Sequence, residues 1–544
     1  MSNSQPPALA WTGERMIPGQ SDPATEMFHW QRYLFFRPWY EGRRLIDAAS
    51  GEGYGAAYAA AFARNVRGFD VSEEAIAHAS ATYGHVEFVQ ADVCEADYSQ
   101  ADLVVSFETI EHLEDPLSFL RALNSCPGAI VISTPNRETH SPGAKKGDKP
   151  ANEFHTVEWT PQEFARLVRK EFGDRTVRFL SQAARWPGTI TEGLRDDAMY
   201  TLAVIDGPDL PVWPRLGLAM PTRHAERAVN AVTNLSKYYP GDIEFAVVAN
   251  GCAPEHLQKL REAEREAPHL IHVVESETNL GYAVGANLGL DFLWQEAWFD
   301  LFGVVNDDVY PAVDCLPQMV EAYRELVALE RKPGVLGPVS NCVNGAQQVD
   351  IGIYTDIQSM QTSAAAYHRQ HHSSVTETDQ VRGLLLLITP ECLSAVGGFD
   401  PRFGLGNVED DDHNLRCRLA GFSLWIVDGA FLHHTGSATF KDLGLDYQLS
   451  IARNGQLFAE KWRLGVLADW SELRRAPKGV KLFVPLTARA EASGFELVVN
   501  GETVDLVHQA SDLEFTAWLV EQLRGKPRTE RVPVIEAFAR KLAA

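Results

Sequence analysis

Long apolar segments, closely spaced cysteines and positive charge are all scarce in this sequence of 544 residues. No stretch approaches the roughly 18 apolar residues that a membrane-spanning helix needs. The amino-terminal segment also lacks the basic region and apolar run of a signal peptide. These absences predict a protein without a transmembrane segment, and they leave peripheral membrane association open.

The seven cysteines are an odd number, and no two of them have Cys-x-x-Cys spacing. A scattered, odd set favours reduced thiols over a disulfide framework. We therefore expect a cytoplasmic protein.

Acidic residues outnumber basic ones by 73 to 49, which gives a formal net charge of −24. A protein that binds the nucleic-acid backbone needs a basic face. The charge therefore argues against a nucleic-acid partner and against electrostatic docking on anionic lipid, although a local basic groove remains compatible with it.

Alternating strand and helix patterns run through residues 44–205 and start again at residue 216. A proline-rich stretch between them is typical of a linker. The alternation predicts an α/β protein with two doubly wound, mostly parallel sheets. The expected domains are residues 1–206, a linker at 207–215, residues 216–463 and a carboxyl-terminal extension at 464–544.

That extension contains no recognisable motif. Short apolar segments at 482–485 and 495–501 predict a hairpin-like region, and two amphipathic helices are expected at 511–524 and 533–543. We expect a small α+β tail that docks a substrate or mediates oligomerisation.

A glycine-rich segment, Asp-Ala-Ala-Ser-Gly-Glu-Gly-Tyr-Gly at 47–55, follows the first predicted strand. Ligands bind doubly wound sheets at the carboxyl ends of the strands, and Gly51, Gly53 and Gly55 let the backbone approach a ligand. Asp70 ends the second predicted strand, where a carboxylate can accept both ribose hydroxyls. By itself, the loop is also compatible with a dinucleotide or with a tight structural turn.

An ordered set of further motifs narrows these alternatives. The motifs are Thr-Gly-Glu-Arg at 12–15, Glu-Met-Phe-His-Trp-Gln-Arg-Tyr at 26–33, Ala-Asp at 91–92, Phe-Glu-Thr-Ile-Glu-His-Leu at 107–113, Ser-Thr-Pro-Asn at 133–136 and Asn-Glu-Phe-His-Thr-Val-Glu at 152–158. Residues 11–206 thereby resemble the class I S-adenosylmethionine-dependent methyltransferases, especially those found with bacterial surface-polysaccharide enzymes. The resemblance implies that Asp47 and the three glycines hold the methionine and ribose, Asp70 the ribose diol and Asp92 the adenine amino group. Glu108 is expected at the cofactor as well.

Methyl transfer from a sulfonium to a hydroxyl needs in-line positioning and benefits from a base. His112 and His155 are the candidate bases, with Glu108 and Glu111 beside them. Alternatively, His112 orders the loop after its strand and His155 caps a helix. The residues alone leave both interpretations open.

Two acidic segments stand out in the second half. Asn-Asp-Asp at 306–308 ends a predicted strand, and Glu-Asp-Asp-Asp at 409–412 leads into a helix predicted to begin at residue 412. Divalent cations prefer oxygen ligands and neutralise the charge of a leaving diphosphate, and His433 and His434 add a further type of ligand. The structural alternatives are a solvated turn for the first segment and acids that complement a helix dipole for the second.

Together these segments resemble the family 2 glycosyltransferases of the GT-A fold, over residues 216–463. The resemblance implies an inverting sugar transfer that uses a nucleotide-sugar donor and Mn²⁺ or Mg²⁺. Asp410, beside Glu409, would be the base. The residues expected to hold the cation are Asp308 and one of His433 and His434. The residues expected at the donor nucleotide are Thr222, Asn250, Asn279, Gly281 and Asp307.

Another group of histidines, His368, His371 and His372, is predicted to lie on a polar loop rather than to bind a metal. No cysteine or carboxylate pattern accompanies these side chains.

Three functions are compatible with the two motif sets. The favoured one is a bifunctional enzyme that glycosylates a glycan, lipid-linked or protein acceptor and methylates a sugar hydroxyl. The second is a glycosyltransferase whose amino-terminal half is a non-catalytic S-adenosylmethionine-binding or docking module. The third, a nucleic-acid methyltransferase with an accessory domain, fits poorly with the net charge and lacks an Asn-Pro-Pro-Tyr-like amine site.

Overall fold

The structure, a computed structural model, describes residue 9 and residues 15–296, 298–436, 447–464, 470–490, 497–499 and 502–504. The chain divides into two compact units, the first reaching Trp213 and the second starting at Pro214, with residues 237–241 and 356–358 grouped with the first. Residues 12–14 of the first predicted motif and the predicted helices at 511–524 and 533–543 lie outside the described residues.

The first unit is built on an eight-stranded sheet of order β3-β2-β1-β4-β5-β8-β6-β7. The strands β1 to β5 are parallel, whereas β8 runs antiparallel between β5 and β6, and β7 pairs antiparallel with β6. The strand order reverses between β1 and β4, which creates a ligand crevice at their carboxyl ends. The strands are β1 (Arg44–Ala48), β2 (Asn65–Asp70), β3 (Glu87–Gln90), β4 (Leu103–Ser106), β5 (Ala129–Pro135), β6 (Val177–Ala183), β7 (Ile190–Glu192) and β8 (Ala198–Ile205).

Six helices accompany this sheet, and polar side chains cap most of them. The helices are α1 (Pro23–Phe35), α2 (Tyr54–Ala59), α3 (Glu73–Thr82), α4 (Pro116–Leu123), α5 (Arg137–His140) and α6 (Pro161–Glu171), with 3₁₀ turns at Arg37–Trp39 and Ile110–His112. Asp22 begins α1, and Thr160 with Glu163 forms a capping box at α6. Strand β4 is buried along its whole length, as expected for a central parallel strand.

The second unit contains a larger mixed sheet of order β11-β10-β9-β12-β16-β14-β17-β13, with β15 paired to β17. The first four strands in this order are parallel, and β16 runs antiparallel to β12 and β14. The strands are β9 (Leu216–Thr222), β10 (Ile243–Asn250), β11 (Ile271–Ser276), β12 (Leu301–Val305), β13 (Val309–Pro311), β14 (Pro333–Ser340), β15 (Val375–Thr378), β16 (Leu385–Ile388) and β17 (Ser423–His434).

The helices of the second unit include one that begins with an acidic segment. They are α7 (Ala225–Lys237), α8 (Pro254–Glu266), α9 (Tyr282–Glu296), α10 (Cys315–Ala328), α11 (Ile357–His371), α12 (Pro390–Val396), α13 (Glu409–Leu419) and α14 (Tyr447–Trp462), with 3₁₀ turns at Pro401–Phe403 and Trp470–Glu472. Apolar residues of β12, β16, α9, α12, α13 and α14 share one core. This core fixes the start of α13 relative to the end of β12.

A small third sheet has the order β18-β19-β20 and comprises β18 (Arg489–Ala490), β19 (Leu497–Val499) and β20 (Glu502–Val504). The 495–501 segment does form part of an antiparallel sheet, but β19 pairs with β20 and β18 rather than with the 482–485 segment of the predicted hairpin. Two α/β units and a small further sheet confirm the predicted fold class. Among the described residues, no helix is long and apolar enough to cross a bilayer.

One local prediction is wrong. The predicted polar loop around His368 and His371 is the end of helix α11. His368 is buried there, with its Nδ1 atom 3.0 Å from the carbonyl oxygen of Gly429. Such a tertiary contact leaves no mark in local composition.

We expect residues 1–206 and 215–544, expressed separately, each to fold. All strands of the first sheet lie within the first fragment, and all strands of the second sheet lie within the other, so each fragment keeps a complete sheet. Circular dichroism and thermal unfolding of the fragments measure this, with ligand binding as a second readout. Insolubility of both fragments would show that the boundary at residues 207–215 is misplaced.

Candidate active sites

The glycine loop of the first unit lies between β1 and α2 and is anchored by Asp70. One carboxylate oxygen of Asp70 accepts a hydrogen bond from the Gly51 amide at 2.9 Å, and the other accepts from the Ser72 amide at 2.9 Å. Asp70 therefore joins the loop to the start of α3. This arrangement leaves the loop at the carboxyl edge of the sheet, as the sequence predicts.

The three glycines of this loop have different surroundings. Gly51 adopts a left-handed φ of 57°, and a side chain there would meet no atom within 4 Å. In contrast, a Cβ atom at Gly53 would press on Ala79, and one at Gly55 would overlap the ring of Tyr33. Only Gly51 thus borders open space, whereas the other two glycines allow close packing.

Asp47 is buried at the end of β1, and the Tyr33 hydroxyl donates to it at 3.0 Å. Burial raises the pKa of Asp47 to about 7, with the nearby Asp70 carboxylate adding to the shift and the Tyr33 hydrogen bond opposing it. Asp92 follows β3, is exposed, and accepts a hydrogen bond from the Cys94 amide at 2.8 Å. The predicted cofactor acids therefore follow three adjacent parallel strands.

Glu108 follows β4 and contacts the next strand. Its residue has a left-handed φ of 57°, and its carboxylate accepts a hydrogen bond from the Ser133 hydroxyl at 2.6 Å. The Arg32 guanidinium lies 3.7 Å from the same oxygen. Glu108 is thus held at the carboxyl edge of β4 and β5.

The two predicted base candidates lie beside each other. The imidazole rings of His112 and His155 are 4.9 Å apart and nearly perpendicular. Glu111 is fully buried next to them, and burial, with the neighbouring Glu108 carboxylate, raises its pKa well above the usual range. The proposed capping role for His155 is wrong, because the following helix begins at residue 161 and is capped by Thr160.

A cavity of about 620 Å³ in the second unit opens at the carboxyl ends of β9, β10 and β12. It contains every predicted donor residue, both acidic segments and one of the two candidate histidines. The predicted residues that line it are Thr222, Asn250, Asn279, Gly281, Asp307, Asp308, Glu409, Asp410 and His434. The fold therefore joins residues that are up to 212 positions apart in the sequence, Thr222 and His434.

Strand pairing brings His434 to the first acidic segment. Residues 309–311 of β13 pair antiparallel with the end of β17, and Nε2 of His434 lies 3.2 Å from Oδ1 of Asp308. Burial lowers the pKa of His434, but the hydrogen bond to Asp308, the charge of Asp308 and the hydrogen bond to the Cys342 carbonyl together leave this pKa raised. His433 points to the other face, as alternate strand residues do, and contacts the Tyr354 hydroxyl at 2.7 Å.

Asp307 is held by a different partner from its neighbour. The Thr222 hydroxyl donates to Asp307 at 2.6 Å. Burial raises the pKa of Asp307 to about 6, with Thr222 opposing the shift and Asp308 adding to it. Thr222 therefore positions Asp307 at the cavity.

Three of the four acids of the second segment have different surroundings. Asp410 accepts hydrogen bonds from the amides of Gly383 at 3.1 Å and Asp411 at 2.9 Å. Asp411 pairs with Arg382 at 2.7 Å, and burial together with Asp410 raises the pKa of Asp411 to about 7. Asp412 is fully buried and pairs with Arg416 at 2.9 Å. Asp412 is thus structural, whereas Asp410 faces the cavity.

Backbone strain precedes these acids. Asn407 and Val408 both have left-handed φ angles, 76° and 71°. This conformation is unfavourable for a β-branched residue and is found mainly where surrounding structure enforces it. The strained pair directs Glu409 and Asp410 toward the cavity at the start of α13.

Asn250 shapes the donor side of the cavity through its side-chain amide. Its nitrogen donates to the Gly281 carbonyl at 3.0 Å, and its oxygen accepts from the Leu280 amide at 2.8 Å. Asn279 likewise accepts from the Gly281 amide at 3.0 Å. These two asparagines therefore order the loop that borders the cavity.

Several lining residues were not predicted from the sequence. Tyr282 donates to the Gly383 carbonyl at 2.9 Å, and Arg382 pairs with Asp411 across 29 residues. Arg223 and Asn341 also line the cavity. A single arginine or tyrosine near a strand end has no distinguishing pattern, so only the folded chain reveals these positions.

Comparison with known families agrees with both sites. Residues 46–130 match the family model for a methyltransferase domain, and residues 219–329 match the model of glycosyl transferase family 2. The chain contains one domain of each kind. The glycine loop, Asp70 and Asp92 lie within the matched part of the methyltransferase domain, and Asp307 and Asp308 lie within that of the glycosyltransferase domain.

Two curated relatives are both described as probable S-adenosylmethionine-dependent methyltransferases. The protein of Mycobacterium tuberculosis is 39% identical over 176 residues, which are 31% of this chain and 62% of the relative. The protein of Mycolicibacterium smegmatis is 39% identical over 177 residues, which are 30% of this chain and 66% of the relative. The chain thus spans less than two thirds of the length of either relative.

A solved structure of an S-adenosylmethionine-dependent methyltransferase from Thermotoga maritima is also similar. It is 16% identical, covers 33% of this chain and 90% of its own, and has a TM-score of 0.28.

Replacing Asp47 with asparagine should change how the stability of the ligand-free methyltransferase domain depends on pH. The pKa of Asp47 is about 7 in the folded domain, whereas the ordinary pKa of an aspartate is 3.8. Between these two pH values the folded domain keeps a proton that the unfolded chain loses. The resulting stabilisation is complete below pH 4 and is lost as the pH rises through 7. The neutral asparagine has no such loss.

Thermal unfolding between pH 4 and pH 8 measures this effect, in the transition that S-adenosylmethionine shifts. The unfolding temperature of the Asp47→Asn variant minus that of the unchanged chain should rise with pH. The rise is roughly 2–4 °C for each kcal/mol of stability that the unchanged chain loses. Asp97→Asn, a fully exposed control, should show no such rise. A constant difference for Asp47→Asn would contradict the raised pKa.

Proposed function

We propose that the chain is a bifunctional enzyme. Its glycosyltransferase domain transfers a sugar from a nucleotide-sugar donor to a glycan, lipid-linked or protein acceptor, and its methyltransferase domain methylates a sugar hydroxyl with S-adenosylmethionine. The observation that carries this proposal is that Asp308, His434 and Asp410 line one cavity. We assign both reactions to polysaccharide biosynthesis in the cytoplasm. Free thiols at all seven cysteines support the cytoplasmic location.

The side chains at the first acidic segment fit a divalent cation. Asp308 and His434 place a carboxylate oxygen and an imidazole nitrogen 3.2 Å apart, close to the roughly 3.0 Å edge of an octahedron with bonds of about 2.1 Å. Such a mixed ligand set favours Mn²⁺ over Mg²⁺. A bound cation would neutralise charge that develops on the leaving diphosphate.

Sugar transfer then follows as an inverting displacement. The acceptor oxygen attacks the anomeric carbon, the bond from that carbon to the phosphate oxygen breaks, and Asp410 takes the hydroxyl proton. Two backbone amides fix the Asp410 carboxylate, and the Arg382 guanidinium lies 3.9 Å from one of its oxygens. Glu409 lies beside it, while Thr222, Asn250, Asn279, Gly281 and Asp307 hold or shape the donor site.

Asp410→Asn should retain donor binding and lower turnover by roughly 10²–10⁴, because asparagine keeps the shape but cannot take the proton. Asp308→Asn should instead weaken donor binding in the presence of Mn²⁺. Calorimetric donor titration and sugar-transfer rates at saturating substrates separate the two effects.

Asp428→Asn is the matched control, since Asp428 contacts Ser374 and Thr376 and does not line the cavity. Full turnover of Asp410→Asn would move the base to Glu409 or Asp411.

Methyl transfer is proposed at the carboxyl edge of the first sheet. S-adenosylmethionine lies on the 47–55 loop, with Asp47 and Gly51 toward the methionine and ribose, Asp70 toward the ribose diol and Asp92 toward the adenine. Glu108 borders the reacting end. The acceptor oxygen attacks the methyl carbon, the carbon–sulfur bond breaks, and its electron pair stays on sulfur.

The hydroxyl proton leaves toward the pair formed by His112 and His155. Both histidines are assigned to the acceptor because their rings lie 4.9 Å apart and His112 follows β4, in the same loop as Glu108. Glu111 lies beside the pair, with its Oε1 atom 3.9 Å from Nε2 of His112. This assignment gives the methyltransferase domain a catalytic role rather than that of a docking module.

Asp70→Ala should weaken S-adenosylmethionine binding by about 1.5–3 kcal/mol, the cost of losing hydrogen bonds to a charged group. Isothermal titration measures the affinity, and Asp97→Ala on the same domain is the control. Unchanged affinity of Asp70→Ala would refute the ribose assignment. If the unchanged chain binds S-adenosylmethionine but methylates no sugar acceptor, the domain is a docking module.

A further inference from the structure

Three side chains of the methyltransferase domain point ligand atoms at one another. The carboxylate of Glu111 and the imidazoles of His112 and His155 each have a ligand atom within 4.8 Å of the other two. Oε1 of Glu111 lies 3.9 Å from Nε2 of His112. Ligand atoms around a cation with bonds of about 2.1 Å are roughly 3.0–4.2 Å apart, so small side-chain adjustments would bring all three onto one ion.

Both imidazoles are oriented as metal ligands usually are. Nδ1 of His112 lies 3.0 Å from the Phe154 carbonyl oxygen, and Nδ1 of His155 lies 2.6 Å from the Glu158 carboxylate. Each Nδ1 must therefore carry the hydrogen and donate it, since carbonyl and carboxylate oxygens only accept. The lone pair of each neutral ring is then on Nε2. A hydrogen bond from the far nitrogen to a carbonyl or carboxylate is the usual support of a metal-binding histidine.

Asn152 gives further support for this tautomer of His155. Its side-chain amide nitrogen lies 3.0 Å from Nε2 of His155. An amide NH₂ group donates, so Nε2 is the acceptor and holds the lone pair. A cation would take the place of this one weak donor.

The burial of Glu111 is an independent observation that points to a ligand at this site. The residue is 0% exposed, and its Oε1 atom has no hydrogen-bond partner among the described residues. A buried carboxylate oxygen without a partner is costly, because the group loses its hydration and gains nothing. The other oxygen receives only a 3.3 Å hydrogen bond from Thr134.

We propose that Glu111, His112 and His155 form a binding site for a divalent first-row transition-metal ion. Two imidazoles and one carboxylate suit Mn²⁺, Fe²⁺, Co²⁺ or Zn²⁺ better than Mg²⁺. Three protein ligands leave coordination positions open. The acceptor's oxygens occupy these positions, a role that rests on the proposed methyl transfer, whereas the binding of the ion does not.

When the ion is bound, His112 and His155 are its ligands and no longer take the hydroxyl proton themselves. With both Nε2 lone pairs on the cation, the ion lowers the pKa of the bound hydroxyl, whose proton is released to water. The oxygen then attacks the methyl carbon, the carbon–sulfur bond breaks, and S-adenosylhomocysteine leaves with the electron pair on sulfur. The histidines thus act on the acceptor through the ion.

Cobalt titration of the full-length chain tests the site. Asp308→Asn is the background, because it weakens the separate cation site of the glycosyltransferase domain. After removal of bound metal with a chelator, this chain should bind one Co²⁺ and develop a visible absorption band. In the same background, Glu111→Gln, His112→Gln and His155→Gln should each bind Co²⁺ at least about 10–100-fold more weakly and lose the band.

His85→Gln, an exposed histidine of the same domain, is the matched control and should keep both affinity and band. S-adenosylmethionine binding and thermal unfolding confirm that the variants fold. If all three variants with normal folding bind Co²⁺ as the background does, the site is refuted. If the glutamine variants do not fold, His155→Asn in the Asp308→Asn background is tested instead. Loss of its cobalt band supports the site, and a retained band refutes it.

Methyl transfer supplies an independent readout for the role. If the metal-free chain methylates as fast as the chain with Mn²⁺, the ion does not hold the acceptor and that role is refuted, although the site stands. If the chain methylates no acceptor under any condition, the proposed methyl transfer fails, and the cobalt titration alone still decides the site.

Discussion

The burial of carboxylates close to one another is the constraint on which both sites depend. Each sheet gathers acids at the carboxyl ends of its parallel strands, where low polarity penalises every ionised group. Asp47, Asp307 and Asp411 accordingly have pKa values raised to about 7, 6 and 7. Such acids remain costly until a proton, a cation or a ligand's hydrogen-bond donors compensate them, which is why perturbed acids cluster at functional sites.

Acids with built-in cations behave in the opposite way. Asp400 and Asp412 are as deeply buried, yet Lys461 and neighbouring arginines hold both pKa values below the usual range despite the cost of burial. Lys461 lies 2.9 Å from Asp400 and 2.6 Å from Asp412. These ion pairs hold α14 against the start of α13. The preceding acids, Glu409 and Asp410, line the cavity instead. One short acidic segment thus serves both stability and the cavity.

Much of each site was predictable because strand ends are visible in a sequence. Glycine loops and acids that directly follow apolar strands predicted the 47–55 loop, Asp70 and Asp308, since parallel strands end at one edge of a sheet. Residues whose role depends on partners far along the chain were not predictable. Arg382 pairs with Asp411 from a separate strand end. His368 lies in a helix that tertiary packing, rather than composition, stabilises.

The sequence by itself determined the two α/β domains and the sets of candidate residues at their strand ends. Only the tertiary structure decided between adjacent residues within those sets. It selects His434 over His433 for the Asp308 cluster, because successive side chains of β17 point to opposite faces. It also separates Asp412 from Asp410 and brings His112 beside His155. Local patterns encode which element a residue joins, whereas the direction and the partners of a side chain depend on strands and helices that are distant in the sequence.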